Sequence, residues 1–246
     1  MPRIDFYNDR VCLNVEAHSL ENAREIVEAA EGHVLIGILS ANYPDVASAV
    51  REMRSYQKET GDRLSVGLGA GNPRQCYAVS EIAAELHPAH INQVFSCVGR
   101  TRAALNEEEG WINALVSPSG TVGLVNIATG PISSQREKAL IPVGTAIAMV
   151  QEMGGNSLKF FPMGGLGHKE EFRYVARECA QAHFALEPTG GIDPENFRSI
   201  LGIALEEQVP EIIPHVYSSI IEKTTGNTKT EDVRKLFAII REMLDR

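Results

Sequence analysis

Lys159 is the residue whose type and surroundings point most directly to chemistry. It lies inside an apolar segment, residues 157–162, which reads SLKFFP. An ammonium group among apolar side chains loses hydration, so its pKa falls and part of the lysine becomes neutral near pH 7. A neutral amine can attack a ketone to form an imine, the covalent step of Schiff-base enzymes. A lysine that reaches solvent, or one that pairs with Glu187, would explain the same pattern without chemistry.

The elements that must position this lysine follow a regular alternation. Short apolar runs alternate with amphipathic segments, which is typical of β-α units around a parallel sheet. The runs predicted as strands are 10–15, 34–39, 64–68, 91–97, 158–161, 185–188 and 212–216. A further strand, the fifth in chain order, is expected in the middle of the chain. Its candidates are 112–116, 122–127 and 139–143, and the first two flank a turn and could pair as a hairpin.

This pattern predicts the fold class. Eight strands with helices between them, and no linker in 246 residues, predict an α/β fold, a (β/α)8 or TIM barrel. We expect a single domain over residues 1–246, with an extra hairpin near 112–127. In such barrels the chemistry lies at the carboxyl ends of the strands and in the loops that follow. Lys159 should therefore face a cavity at that end.

Composition limits the partners of the chain. The formal net charge of -9 disfavours nucleic acid, whose binding needs clustered Lys and Arg. No apolar run is long enough for a membrane span and no signal-peptide pattern begins the chain, so we expect a cytoplasmic protein without a membrane partner. The scattered cysteines and histidines predict neither disulfides nor a protein-held metal. Many barrels self-associate, and we expect a homo-oligomer.

Two motifs on consecutive predicted strands resemble segments of a known enzyme family. Residues 159–162 (KFFP) and 188–192 (PTGGI), with an amphipathic helix between them, are similar to the Lys-Phe-Phe-Pro and Pro-Thr-Gly-Gly segments of the 2-keto-3-deoxy-6-phosphogluconate aldolases. The clear similarity covers residues 139–221. With 14–17 (NVEA) and 67–73 (GLGAGNP) included, the whole chain resembles the glucosaminate-pathway branch of the 2-dehydro-3-deoxyphosphogluconate (KDPG) aldolases.

The resemblance implies a class I aldolase that cleaves a phosphorylated 2-keto-3-deoxy sugar acid to pyruvate and glyceraldehyde 3-phosphate, with no metal or other cofactor. The family's imine-forming lysine falls on Lys159, and the threonine that contacts the keto acid falls on Thr189. Gly190 and Gly191 would present backbone N–H groups to the substrate phosphate at a helix start, where unpaired donors and the dipole favour an anion. A tight turn without a ligand is the other interpretation of this glycine pair.

The last strand departs from the family's pattern. Residues 214–219 (PHVYSS) stand where the family has a glycine-rich phosphate loop. The hydroxyls of Ser218 and Ser219 could hold the phosphate instead, or could cap the following turn or face solvent.

Strand two also departs, because it carries neither the family's general-base Glu nor its carboxylate-binding Arg. Glu187 is the first candidate for the base, since it faces the same side of its strand as Thr189; it could instead be a structural partner that tunes Lys159. His215 is the second candidate and could also contact substrate, or it could be an ordinary core or surface histidine. Arg100, in a predicted loop, could bind the substrate carboxylate or simply be solvated.

Two other functions fit parts of this pattern. A sugar-phosphate epimerase or decarboxylase would share the Gly190–Gly191 site, but it usually relies on carboxylates and often on a metal. A non-catalytic barrel that senses a sugar phosphate would bind its ligand without product formation. Neither explains a lysine inside an apolar strand as directly as a Schiff-base aldolase does.

Overall fold

The computed structural model describes residues 4–106 and 108–245. Its strands are β1 (Leu13–Glu16), β2 (Val34–Leu39), β3 (Leu64–Gly67), β4 (His90–Val94), β5 (Trp111–Pro118), β6 (Leu124–Asn126), β7 (Leu140–Pro142), β8 (Ser157–Phe160) and β9 (Ala185–Pro188). Its helices are α1 (Leu20–Ala29), α2 (Val46–Glu59), α3 (Cys76–Leu86), α4 (Val98–Leu105), α5 (Val143–Glu152), α6 (Lys169–Gln181), α7 (Phe197–Glu206) and α8 (Thr230–Leu244).

Seven parallel strands run side by side in the order β1-β2-β3-β4-β5-β8-β9. Residues 212–216 close the ring, because Ile212 and His215 each form parallel bridges to the first strand region and to the β9 region. The closing segment forms separate bridges and no continuous ladder, since Pro214 between them has no N–H to donate. The predicted (β/α)8 barrel is confirmed, with 212–216 in the eighth position.

The ambiguous middle of the chain resolves into a barrel strand and a small extension. β5 pairs in parallel with β4 and β8, so it is the fifth barrel strand. Its last residues pair antiparallel with β6, which confirms the predicted hairpin, and β6 pairs in turn with β7. The run 139–143 therefore contributes an outer strand and not a barrel strand.

The apolar faces of the strands and helices are buried as the sequence patterns predict. β2 is buried along almost its whole length, as expected for a strand that is covered on both faces. α6 is the amphipathic helix predicted between the two motifs, and its apolar residues Phe172, Val175, Ala176 and Cys179 are buried. Burial of each large apolar side chain stabilises the fold by about 1.5–3 kcal/mol. In the described part of the chain, no helix combines the length and apolarity that crossing a bilayer requires.

Candidate active site

A cavity of about 260 Å³ opens at the carboxyl ends of the barrel strands. Six of the residues singled out from the sequence line it: Lys159, Thr189, Gly190, Gly191, His215 and Ser218. The lining also contains Tyr217 and the loop 69–71, together with Glu16 and Asn92, to which the sequence analysis gave no role at the site.

Lys159 lies on β8, half-buried, with its amine directed at two polar side chains. Its Nζ donates to Oδ1 of Asn92 at 2.7 Å and lies 3.4 Å from Nδ1 of His215. Burial lowers the pKa of Lys159 to about 8, although the negative charge of Glu187 on the adjacent strand opposes this shift. A large fraction of the amine is therefore neutral at mildly alkaline pH, as imine formation requires.

Glu187 lies below the cavity floor and its side chain has no exposed surface. Burial opposes its ionisation, but His90 and His215 outweigh this effect and hold the pKa of the carboxyl well below its usual value. The carboxylate accepts hydrogen bonds from five side chains: His90 Nε2 at 3.0 Å, His215 Nε2 at 2.7 Å, Asn113 Nδ2 at 2.6 Å, Ser157 Oγ at 2.6 Å and Trp111 Nε1 at 3.1 Å.

This environment does not favour the predicted role of Glu187 as general base. An acceptor that is saturated with donors and sealed from the cavity binds a proton weakly and cannot reach a substrate hydroxyl. The geometry instead favours a carboxylate that orients the groups around it.

The carboxylate determines the tautomer of His215. An ionised carboxylate only accepts hydrogen bonds, so Nε2 of His215 must carry the proton that it shares with Glu187. Burial and the nearby positive charge of Lys159 lower the pKa of His215 to about 3, although Glu187 opposes the shift. The ring is therefore neutral at pH 7, and the lone pair on Nδ1 faces the lysine amine.

Lys159, Glu187 and His215 belong to a closed ring of hydrogen bonds, hereafter the polar ring. Its six members, in order, are Lys159, Asn92, Ser65, His90, Glu187 and His215. Neighbouring bonds in such a network polarise one another and restrict each side chain to one rotamer. The Lys159 amine is thus held between two acceptors, Asn92 Oδ1 and His215 Nδ1.

Three members of the polar ring also resemble a metal site in composition. His90, Glu187 and His215 bring possible ligand atoms within 4.8 Å of one another. However, both imidazole Nε2 atoms carry protons that they donate to the carboxylate, and each would have to lose its proton to bind a cation. The hydrogen-bond network accounts for this cluster without an ion.

The predicted phosphate donors, Gly190 and Gly191, lie in the loop after β9. Both have positive φ angles, +97° and +70°, and a Cβ on Gly191 would lie 2.5 Å from the backbone nitrogen of Gly165. The turn therefore requires glycine. Within the described chain, the N–H groups of Gly190 and Gly191 have no hydrogen-bond partner. Helix α7 begins at Phe197, and Asp193 accepts its first hydrogen bonds from the N–H groups of Asn196 and Phe197. Gly191 is thus separated by a short loop from the helix start that was expected beside it.

The other predicted substrate contacts differ in whether their side chains border the cavity. The Thr189 hydroxyl donates to the backbone oxygen of Glu187 at 3.2 Å and borders the cavity. Ser218 also lines the cavity, whereas the Ser219 hydroxyl donates to the backbone oxygen of Ile192 at 2.7 Å and ties two loops together.

Arg100 is not part of the cavity lining. It lies on α4, not in a loop as predicted, and its guanidinium packs 4.8 Å from the ring centroid of Tyr77. This cation–π contact in the outer layer of helices explains the position of the guanidinium without a substrate. The geometry does not favour contact with a substrate carboxylate.

The fold places the chain among (β/α)8 barrel proteins. A mutant tryptophan synthase α-subunit from Pyrococcus furiosus superposes with a TM-score of 0.59 at 14% identity, covering 98% of this chain and 100% of that one. TrpF from Jonesia denitrificans gives 0.57 at 13% identity, covering 96% and 100%. At such low identities these similarities show a shared fold and nothing about function.

Sequence comparison gives the family. Residues 7–224 match the family model described as KDGP aldolase. A relative from Salmonella typhimurium, named 2-dehydro-3-deoxy-phosphogluconate aldolase, is 46% identical over 248 residues, which cover 99% of this chain and 100% of the relative. The chain belongs to the KDGP aldolase family, and the resemblance read from the two motifs is confirmed.

Proposed function

We propose that this aldolase works through a Schiff base on Lys159 and cleaves 2-dehydro-3-deoxy-6-phosphogluconate to pyruvate and glyceraldehyde 3-phosphate. The observation that carries the proposal is a half-buried lysine in the cavity, with its pKa lowered to about 8 and its amine held by Asn92 and His215. The substrate is taken from the name of the relative that is 46% identical, and the products are those that cleavage of its C3–C4 bond gives.

In the first chemical step, the neutral form of the Lys159 amine, which its lowered pKa of about 8 makes available, attacks the C2 ketone. The nitrogen becomes cationic as the C–N bond forms, and Nδ1 of His215, 3.4 Å away, relays one of its protons to the C2 oxygen, while Glu187 at 2.7 Å from Nε2 holds the ring in place. A second proton, from solvent, lets this oxygen leave as water, and an iminium results. Its positive nitrogen withdraws electrons from the C3–C4 bond, which prepares that bond for cleavage.

The two anionic ends of the substrate would be held mainly by backbone donors. Lys159 supplies the only cationic side chain among the described residues of the lining. For the phosphate we propose the N–H groups of Gly190 and Gly191, with Ser218 beside them. For the carboxylate we propose the loop 69–71, whose positive φ angles turn it around the cavity and whose Ala70 and Gly71 N–H groups have no partner in the described structure.

Borohydride reduction in the presence of pyruvate tests the covalent mechanism. The expected result is a stable adduct whose added mass maps to Lys159 in a peptide digest, while borohydride without pyruvate leaves that peptide unmodified. An adduct on another lysine, or none, would refute the mechanism. Turnover that resists borohydride and depends on an added divalent cation would favour metal-assisted chemistry at His90, Glu187 and His215.

Imine formation should follow the titration of Lys159. Because the free amine attacks, the trapping rate at saturating pyruvate should rise about tenfold per pH unit below the midpoint and level off above it. The midpoint should lie near pH 8, the pKa to which burial lowers this lysine. The measurement is cyanoborohydride trapping from pH 6 to 10, quantified by mass spectrometry. A midpoint near 10.5 would show that the lysine is not desolvated.

A further inference from the structure

We propose that Glu16 is the acid-base residue that accepts the substrate C4 hydroxyl proton during C3–C4 cleavage and then protonates the resulting enamine. This inference rests on the proposed function, because it concerns the steps that follow imine formation on Lys159. It assigns to β1 a role that sequence reasoning had given to Glu187.

The position of Glu16 follows from the alternation of side chains along β1. Asn14 points into the barrel, where its amide donates to Ser65 Oγ at 3.0 Å and accepts from the Tyr217 hydroxyl at 2.8 Å. Residue 16, two positions further, faces the same side at the carboxyl end of the strand. Its carboxylate accordingly borders the cavity that contains Lys159, with 10% of the side chain exposed.

The backbone at Glu16 is firmly held, which restricts where the side chain can go. The Thr228 hydroxyl donates to the Glu16 backbone oxygen at 2.5 Å. The side-chain amide of Asn22 on α1 in turn donates to the Thr228 backbone oxygen and accepts from the Thr228 backbone N–H. These bonds connect the end of β1 to the segment before α8. The carboxylate is therefore presented to the cavity from a rigid element, as a catalytic group requires.

The other titratable groups of the lining already have partners or roles. Among the described residues that line the cavity, the titratable side chains are Glu16, Lys159, His215 and Tyr217. Lys159 is the nucleophile, and Nδ1 of His215 faces its amine. The Tyr217 hydroxyl donates to Asn14, and burial raises the pKa of Tyr217, so it is a poor base at neutral pH. Glu16 is the remaining group that can accept a proton from substrate.

The environments of the two carboxylates in this region differ in the way that catalysis requires. Glu187 is saturated by five donors, whereas the carboxylate of Glu16 accepts no hydrogen bond from the described residues, and His18 Nε2 lies 3.6 Å from it. Burial raises the pKa of Glu16, and the interaction with His18 opposes this shift only in part. A carboxylate with a raised pKa is a stronger base, and a pKa closer to the operating pH suits a group that must alternate between its two protonation states during turnover.

The proposed step is balanced in protons and electrons. The Glu16 carboxylate takes the C4 hydroxyl proton, the C4–O electrons form the aldehyde carbonyl, and the C3–C4 bond pair moves through C2 onto the iminium nitrogen. Glyceraldehyde 3-phosphate leaves, and a neutral enamine of pyruvate remains on Lys159. The Glu16 carboxylic acid then gives its proton to C3. Water hydrolyses the pyruvate iminium and releases pyruvate and the lysine amine.

The test separates imine formation from proton transfer at carbon. Glu16→Gln should still form the borohydride-trapped pyruvate adduct on Lys159, which also shows that the variant folds. In D2O, exchange of the pyruvate methyl protons, followed by NMR, should fall by about 10²- to 10⁴-fold. Cleavage of the sugar acid should fall by a similar factor.

Glu25→Gln is the matched control, since it makes the same charge change on the exposed face of α1 and should leave exchange unchanged. In Glu16→Ala, added formate should partly restore exchange by supplying a mobile carboxylate. Normal exchange in Glu16→Gln would overturn the assignment of Glu16 while the aldolase mechanism stands. If wild-type protein itself forms no adduct on Lys159, the proposed function fails instead.

Discussion

Replacement of Lys159 by methionine should abolish aldol cleavage, with kcat lower by about 10⁴-fold or more, as is typical when a covalent nucleophile is removed. Methionine keeps an unbranched side chain in the apolar segment but has no amine to form the imine. Pyruvate release, measured in a coupled assay, and adduct formation under borohydride should be lost together.

The same variant should remain folded, because the lysine is placed for chemistry at a cost in stability. The folded-state pKa of Lys159, about 8, lies below its unfolded value of 10.5. The penalty for burying the ammonium is therefore complete below pH 8 and disappears as pH rises to 10.5. At pH 7 the unfolding free energy of Lys159→Met should equal or exceed that of wild type, by up to about 2 kcal/mol. The excess should shrink as the pH approaches 10.

Lys58→Met, at an exposed position on α2, is the control. It should change neither turnover nor the pH dependence of unfolding. Substantial pyruvate release by Lys159→Met, or a loss of stability large enough to explain inactivity, would contradict the role of Lys159.

Glu187→Gln should give the second large effect, on both stability and rate. An amide offers one acceptor oxygen and adds an N–H₂ group that faces the donors of His90 and His215, so several buried groups lose their partner. We expect the unfolding free energy to fall by about 3–5 kcal/mol at pH 7. Since the pKa of Glu187 is depressed in the folded state, this stabilisation is present above the unfolded value of 4.5 and is lost as pH falls further.

The rate should fall because His215 loses the group that fixes its tautomer. With an amide at position 187, the His215 imidazole can carry its proton on Nδ1. Nδ1 then no longer offers a lone pair to the Lys159 amine. Loss of tautomer control in an acid-base pair costs about 10⁴-fold in other enzymes, and we expect a loss of about 10²- to 10⁴-fold in imine trapping. The readouts are chemical denaturation and the trapping rate at pH 8.

Glu171→Gln provides a matched control for the loss of a buried carboxylate. Glu171 is 7% exposed and accepts from the backbone N–H groups of Ser119 and Gly120, outside the cavity lining. That variant should lose stability without slowing the trapping step. Wild-type trapping rates in folded Glu187→Gln would remove Glu187 and His215 from the activation of Lys159.

The sequence predicts the barrel well because its strands are marked by local patterns. The run 34–39 is continuously apolar and 185–188 is a short run between turn residues, and each becomes a strand at the predicted bounds. The eighth strand was also located, although Pro214 reduces it to separate bridges. The middle stayed ambiguous because three runs of similar composition compete, and only pairing with β4 and β8 selects residues 111–118.

Site residues could be recognised from the sequence where the residue type is unusual for its neighbours in the chain. They could not be recognised where their role depends on side chains from other strands. Lys159 stands out in an apolar strand, and the glycines after β9 stand out as a turn. The role of Glu187 depends on donors from four other parts of the barrel, which no local pattern reveals. Arg100 is the opposite case: the sequence offered it as a carboxylate ligand, whereas the fold places it on α4 with its guanidinium beside Tyr77.

Two residues to which the sequence analysis gave no role at the site could have been recognised from their polar side chains. Asn92 lies within β4 and Glu16 ends β1, and both strands are buried along their whole length. A polar side chain at an inward position of a barrel strand needs a partner or a function. The same argument that selected Lys159 applies to these two residues, once the inward face of each strand is known.

The polar ring links the reactivity of the proposed nucleophile to completion of folding. Its members come from β3, β4, β8, β9 and the closing segment 212–216, so no smaller part of the barrel can assemble it. In an unfinished chain we expect Lys159 to be an ordinary solvated amine, almost fully protonated and unreactive toward cellular ketones. The proposed nucleophile would then be activated only when the last strand closes the barrel, and an incompletely folded chain would be protected from adventitious reaction with the metabolites around it.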